Sequence, residues 1–316
     1  MTRNGLIQRP LVWVGAGLLC SILWASAPAA IKTAYHALSI GSDDIPSMLL
    51  FAGIRFALGG LLTLLFYSAK TRSLPSLPRV LWFRVLWLGL VQTTIHYAFY
   101  FVGASRTSGT HMVIISSMQS FIMVILAHFV DRYDRLSRRK AVAILCGVTG
   151  IVLLNVGQGG DGATFTGDAL IFVATLMATL ATFIIRSIVR ELDPFRLTGW
   201  QLLFGGTTLI VAGLGFGGKI TFTVQGVWLI VYLAAVSAIA FSLWSVLLEH
   251  HPITRVGIFN SLIPVFGTLL AGIFLAENIW RFQTILAMLL VSFGVYLITS
   301  HKRAPLPDPR VDVNDT

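Results

Sequence analysis

The chain has 316 residues, 56% of them hydrophobic and only 11% charged, with a mean hydropathy of +0.82 and a formal net charge of +10. Soluble domains carry about 25% charged residues, so the composition excludes a globular enzyme built around one core and indicates an integral membrane protein. The excess charge is not that of a nucleic-acid binder, because the basic residues fall in short loops between apolar runs.

Segments of about 20 apolar residues are needed to cross the hydrocarbon core, and the sequence offers ten. The first, 11–33, carries Ser21, Trp24, Pro28 and Lys32 on one helical stripe and is read as a retained helix rather than a cleaved signal. Gly41 to Asp44 forms a turn before 46–68, which holds Arg55 at its middle. A guanidinium cannot be deprotonated at bilayer depth and is tolerated there only facing protein, water or an anion. Ser73 to Pro78 separates this span from 80–103, where Gln92, His96 and Tyr100 step by four. The fourth span, 108–130, contains Ser116, Gln119 and Ser120, and a charged loop leads into 139–157.

After the glycine-rich stretch 157–162, the span 167–189 repeats a polar stripe with Thr175, Thr179, Thr182 and Arg186. Next come 195–217, with Gly205 and Gly206 allowing close helix approach, and 226–248, with Trp244. The span 255–276 aligns Gly257, Asn260 and Pro264, and Glu277 at its end is expected to serve as a turn or cap partner. The last span is 279–300, and the tail 301–316, rich in Pro and Asp, is expected to be disordered and cytoplasmic. Ser and Thr on these stripes serve equally as back-bonds to the preceding turn. Cys20 and Cys146 both lie in apolar spans and read as small buried hydrophobes.

Of the 23 Lys and Arg residues, 18 fall in loops on the side of the N-terminus. This bias sets both termini in the cytoplasm. Internal similarity is also present. Gly150-Ile-Val-Leu-Leu matches Gly294-Val-Tyr-Leu-Ile at an offset of 144, Arg55 aligns with Gln201 at 146, and Lys32 aligns with Arg186 at 154. Five spans per copy put the second copy upside down, which is an inverted repeat with one central site that either face can reach.

The residues Leu23-Trp24 with Lys32, Phe51 to Phe56, Gly167-Asp168-Ala-Leu, Pro264-Val-Phe and Phe274 to Glu277 carry a family resemblance. Over residues 11–300 the chain resembles the bacterial ten-helix members of the drug/metabolite transporter superfamily built from two EamA domains. The resemblance implies an all-α integral membrane protein with ten transmembrane helices as an inverted five-plus-five repeat, divided as 11–157 and 167–300. It implies a secondary transporter of the bacterial inner membrane with a cavity between the halves. The chain departs from the pattern in having Ser120 where the second copy has Pro264, and Tyr133 where it has Glu277.

The expected cargo is an amino-acid-like or organic-acid solute, moved outward. Arg55, with Lys32, would read its carboxylate; His96, Tyr100, Gln119 and Asn260 would supply hydrogen bonds; Trp24 and Trp244 would form an aromatic wall; Pro28 and Pro264 would be hinges. Efflux of hydrophobic cations or many drugs, or translocation of a lipid-linked sugar, is the alternative. An enzyme is not expected: Asp43-Asp44 has no second acidic pair, and no metal-ligand spacing or cofactor motif occurs. The partners expected are a small-molecule solute and membrane lipid, with no nucleic acid; monomer or homodimer stays open.

Overall fold

The computed structural model describes residues 9–130, 138–155, 163–251 and 256–299. The expected tail 301–316 lies outside them. The described residues form ten helical segments. They are α1 (Pro10–Ala37), α2 (Ile45–Thr71), α3 (Arg79–Arg106), α4 (Gly109–Ser116 and Gln119–Val130), α5 (Arg138–Asn155), α6 (Phe165–Ile188), α7 (Pro194–Gly215), α8 (Val224–His250), α9 (Gly257–Leu262 and Ile263–Leu275) and α10 (Phe282–Thr299). Six of them, α1–α3 and α6–α8, are long and apolar enough on their own to cross a membrane, and the apolar parts of α9 and α10 are shorter. The difference has local causes. The α-helix of α4 is interrupted at Ser117-Met118, α9 opens as a 3₁₀ helix, and α5 begins with Arg138-Arg139-Lys140.

Helix starts follow from caps that satisfy otherwise orphaned N–H groups. Asp44 accepts from the Ser47 amide, Ser108 from His111, Thr164 from Gly167, Asp193 from Phe195 and Arg196, and Thr223 from Gly226. α3 opens with a 3₁₀ turn at Arg79–Leu81, is α-helical over Trp82–Leu88 and His96–Arg106, and is π-helical over Gly89–Ile95 between them. Large apolar side chains such as Leu65, Val211, Leu214 and Ile273 stand exposed on the outside of the bundle, as expected where lipid is the solvent.

The halves interlock through a two-fold pattern. α2 packs on α7 and α5 on α10; α1 on α8 mirrors α6 on α3; α1 on α9 mirrors α6 on α4. The α2–α7 crossing shows the symmetry at atomic scale. With Arg55 matched to Gln201, Gly53 corresponds to Gly199 and Gly60 to Gly206. A Cβ on Gly53 would lie 2.8 Å from the Gly206 carbonyl oxygen, and one on Gly60 would lie 2.7 Å from that of Gly199. Each glycine of one copy thus meets the other glycine's counterpart, as a two-fold contact requires. Backbone touches backbone here, and packing stands in for the weak hydrophobic drive between helices in lipid.

Candidate functional site

Where α1, α3, α4, α6, α8 and α9 converge beside α2, the bundle encloses a cavity of about 120 Å³. Its lining includes Trp24, Arg55, His96, Tyr100, Gln119, Asn260 and Trp244. Lys32 is not part of it. The lining stripe of α1 runs through Trp24, Ala27 and Ile31; Lys32 is rotated off it, half-buried and within electrostatic range of Glu277. Ser21 likewise turns away, donating to the carbonyls of Gly17 (3.0 Å) and Phe259 (2.8 Å). Pro28 is buried within the continuous α1, whereas Pro264 occupies the first turn of the α-helical part of α9, where proline is tolerated, and so is not an interior kink.

Arg55 dominates the electrostatics. The residue is 2% exposed. Its Nη2 donates to Ser237 Oγ at 3.3 Å, while no described residue accepts a hydrogen bond from Nε or Nη1. The guanidinium lies 4.2 Å from the ring centre of Phe56, 5.5 Å from Tyr97 and 5.4 Å from Phe101. Aromatic faces attract a desolvated cation but accept no full hydrogen bond from its edge. Among the described lining residues there is no Asp or Glu. Beside Arg55, His96 Nδ1 sits 3.1 Å from the Gln92 carbonyl oxygen, and the imidazole stacks on Tyr97 at 4.1 Å. Since that contact assigns the Nδ1 proton as donor, Nε2 carries the lone pair of the neutral ring. Gln92 Oε1 is buried without a described partner. Across the cavity, Trp24 packs edge-on against Trp244 at 4.9 Å and Phe241 at 5.8 Å.

Repeat-related positions line opposite sides, but their chemistry differs. Gln92 corresponds to Val236, Tyr97 to Phe241, Tyr100 to Trp244, Gln119 to Ile263 and Ser116 to Asn260, each 144 residues apart. Arg55–Ser237 is itself mirrored by Gln201, which accepts from Thr93 at 3.0 Å. At four of the five lining pairs the first copy supplies the hydrogen-bonding Gln or Tyr and the second copy Val236, Phe241, Trp244 or Ile263; the pairs Ser116–Asn260, Arg55–Gln201 and Thr93–Ser237 are polar in both copies.

Several residues outside the sequence expectations hold the halves together. Asp168 takes the Thr107 hydroxyl and, at 2.8 Å, His111 Nδ1, all three being buried. Glu277 accepts from the amides of Gly109 (2.6 Å) and Thr110 (3.0 Å), so it caps α4 rather than its own turn. Asp43 and Asp44 also have structural partners: Asp43 pairs with Arg106 at 3.2 Å and Asp44 caps α2. Of the stripe on α6, Thr175 and Thr182 reach the cavity, Thr179 back-bonds to Thr175, and Arg186 is exposed. The polar run Thr107 to His111 was the available sign of the Asp168 cluster; Ser237 and Phe241 gave none, since each looks like ordinary helix packing.

Ten helical segments in two inverted copies, with a partly polar cavity lined from both, have the architecture of a multi-pass membrane transporter. The model of the EamA-like transporter family matches the chain twice, over residues 11–156 and 165–300, and the protein belongs to that family. Relatives include the uncharacterized transporter YetK of Bacillus subtilis, 22% identical over 89% of this chain and 88% of its own length. An uncharacterized transporter of Archaeoglobus fulgidus is 26% identical over 90% and 98%. A protein of Salmonella typhimurium described as a probable amino-acid metabolite efflux pump is 24% identical over 89% and 92%. A solved structure with 18% sequence identity shares the fold, with a TM-score of 0.65, over 89% of this chain and 94% of that one.

Proposed function

We propose that this transporter exports a small carboxylate-bearing metabolite, amino-acid-like or an organic acid, across a bacterial inner membrane, with both termini in the cytoplasm. The observation that carries the reading is Arg55: a buried cation lining the cavity, with two nitrogens, Nε and Nη1, from which no described residue accepts a hydrogen bond. Leaving a charge unpaired in low dielectric costs several kcal/mol, and a bound carboxylate supplies the missing acceptors in a charge-assisted pair. His96, Tyr100, Gln119 and Asn260 add neutral hydrogen bonds, Trp24 and Trp244 add apolar contact, and the two halves rock about the α2–α7 crossing with Pro28, inside α1, and Pro264, in the first turn of the α-helical part of α9, as hinges. Lys32 lies outside the lining. The similarity to a probable amino-acid metabolite efflux pump supports the direction and cargo class. Cation efflux is disfavoured, because a hydrophobic cation would meet Arg55 with no lining carboxylate among the described residues.

Reconstituted protein preloaded with a panel of unlabelled acids and amino acids tests this by counterflow of the labelled counterpart. Arg55→Ala should abolish uptake and Arg55→Lys should retain part of it, because an ammonium keeps the charge without the planar fork. Undiminished transport by a well-expressed Arg55→Ala protein would remove Arg55 from recognition.

A further inference from the structure

The carrier reading above leaves the cargo's body and net charge unspecified, and the cavity constrains both. The strongest recognition groups, Arg55, Gln92 and His96, come from the first half, while an aromatic wall of Phe241 and Trp244 from the second half and Trp24 stands in the same cavity, beside the second half's small polar groups Thr175, Thr182, Ser237 and Asn260. From these two features, which depend on the carboxylate reading of the same site, we infer that the cargo is an apolar monocarboxylate: one carboxylate on a ring-sized or bulky aliphatic body, without a charged amine.

The body follows from the second wall. Repeat positions that carry Gln92, Tyr97, Tyr100 and Gln119 in one copy carry Val236, Phe241, Trp244 and Ile263 in the other. A small hydrophilic acid held by Arg55 would leave that wall covered by nothing apolar. A flat or branched apolar group fills it and gains the usual return of burying apolar surface. The volume of about 120 Å³ has room for one ring and a short chain. A single water needs about 10–15 Å³ of such space.

The charge follows from the balance inside the cavity. Arg55 contributes one positive charge, and no Asp or Glu stands among the described lining residues. A monoanion brings the loaded site to neutrality. A zwitterion adds no net charge, so the loaded site stays cationic at bilayer depth, and its ammonium sits beside the guanidinium. Two like charges roughly 5 Å apart, at an effective dielectric near 20, repel by more than a tenfold step in affinity. The unpartnered Gln92 Oε1 and the His96 imidazole are neutral acceptors. They suit a hydroxyl on the carbon next to the carboxylate.

The decisive comparison uses the purified full-length protein in detergent and four probes: 3-phenylpropionate, phenylalanine, propionate and phenethylamine. Binding is read from the shift in melting temperature with probe concentration. The expected result is that 3-phenylpropionate binds at least about tenfold more tightly than each of the others. Its shift should vanish in Arg55→Gln, which installs the side chain of the repeat partner Gln201, and weaken in Trp244→Ala. If either variant fails to fold, Arg55→Lys, which should keep only part of the shift, and Trp244→Leu, which should weaken it, replace them. Phenylalanine binding as tightly as 3-phenylpropionate would overturn the charge inference while sparing the carboxylate reading. Propionate binding as tightly would overturn the apolar body alone. Stabilisation by phenethylamine only, or by none of the four, would overturn the inference; a phenethylamine shift that survives Arg55→Gln would take the carboxylate reading with it.

Discussion

Replacing Gly206 by alanine probes the α2–α7 crossing directly. The new Cβ would lie 2.4 Å from the Ala57 amide nitrogen and 2.9 Å from the Gly53 carbonyl oxygen. Carbon atoms rest about 3.5–4.0 Å from their neighbours at the optimum, and both obstacles are backbone, so the helices have to part by roughly 1 Å. Overpacking of this kind costs about 1–3 kcal/mol, set against a gain of about 1 kcal/mol from replacing glycine within a helix. Gly15, in the exposed face of α1, supplies the reference, since a Cβ there meets nothing within 4 Å. Gly15→Ala collects the same propensity gain without the clash. The difference between the two variants therefore isolates the crossing, about 1–3 kcal/mol, or roughly 2–12 °C in melting temperature at 2–4 °C per kcal/mol. Thermal melts followed by circular dichroism in detergent measure it. Because the contact is reciprocal, Gly53→Ala should behave alike, and the double variant should lose less than the sum, as both substitutions pry apart the same helices. Gly206→Ala melting together with Gly15→Ala would refute the close backbone crossing.

The ties between halves invite parallel measurements. Glu277→Ala strips the acceptor from the Gly109 and Thr110 amides and should cost about 1–2 kcal/mol of stability in the same melts; no change would mean the cap contributes nothing. Asp168→Ala leaves His111 and Thr107 buried without their shared acceptor and should cost about 3 kcal/mol, with the addition of His111→Ala costing little more. Arg84, paired at the surface with Glu191 at 2.7 Å, is a contrasting case: Arg84→Ala should lower stability by no more than about 1 kcal/mol and leave counterflow intact.

Helix ends were legible because turn and cap residues mark them. The span expected at 46–68 appears as Ile45–Thr71 and that expected at 226–248 as Val224–His250, the extra turns carrying each helix beyond a hydrocarbon core. That Arg55 faces the interior was legible, because a guanidinium at mid-span has to face protein, water or an anion, and it is buried and lines the cavity. Stripes were less reliable, for a geometric reason. On a helix of 3.6 residues per turn, a step of four over-rotates by about 40°. Two such steps take α1 from Trp24, which lines the cavity, to Lys32, which does not. The same step of four succeeds on α3, where Gln92, His96 and Tyr100 all line the cavity. There the π-helical turn, with its i to i+5 bonds, needs more residues per turn and cancels the drift. Asp168 and His111 lie 57 residues apart, and no local pattern announces a pair at that separation.

That wider turn in α3 also records ancestry. Gly205 approaches the Gly89 carbonyl oxygen and the Thr93 side chain, while its repeat counterpart Gly59 approaches the Ala234 carbonyl oxygen and the Ser237 side chain. The same two footholds are four residues apart in one copy and three in the other. One residue was therefore gained by the first copy or lost by the second after the duplication, within Gly89–Ile95, and the helix absorbed the mismatch without breaking. A single-codon event of this kind turns everything downstream to a new heading. The two copies now differ in chemistry at four paired cavity positions, while the α2–α7 crossing between them keeps its two-fold contact.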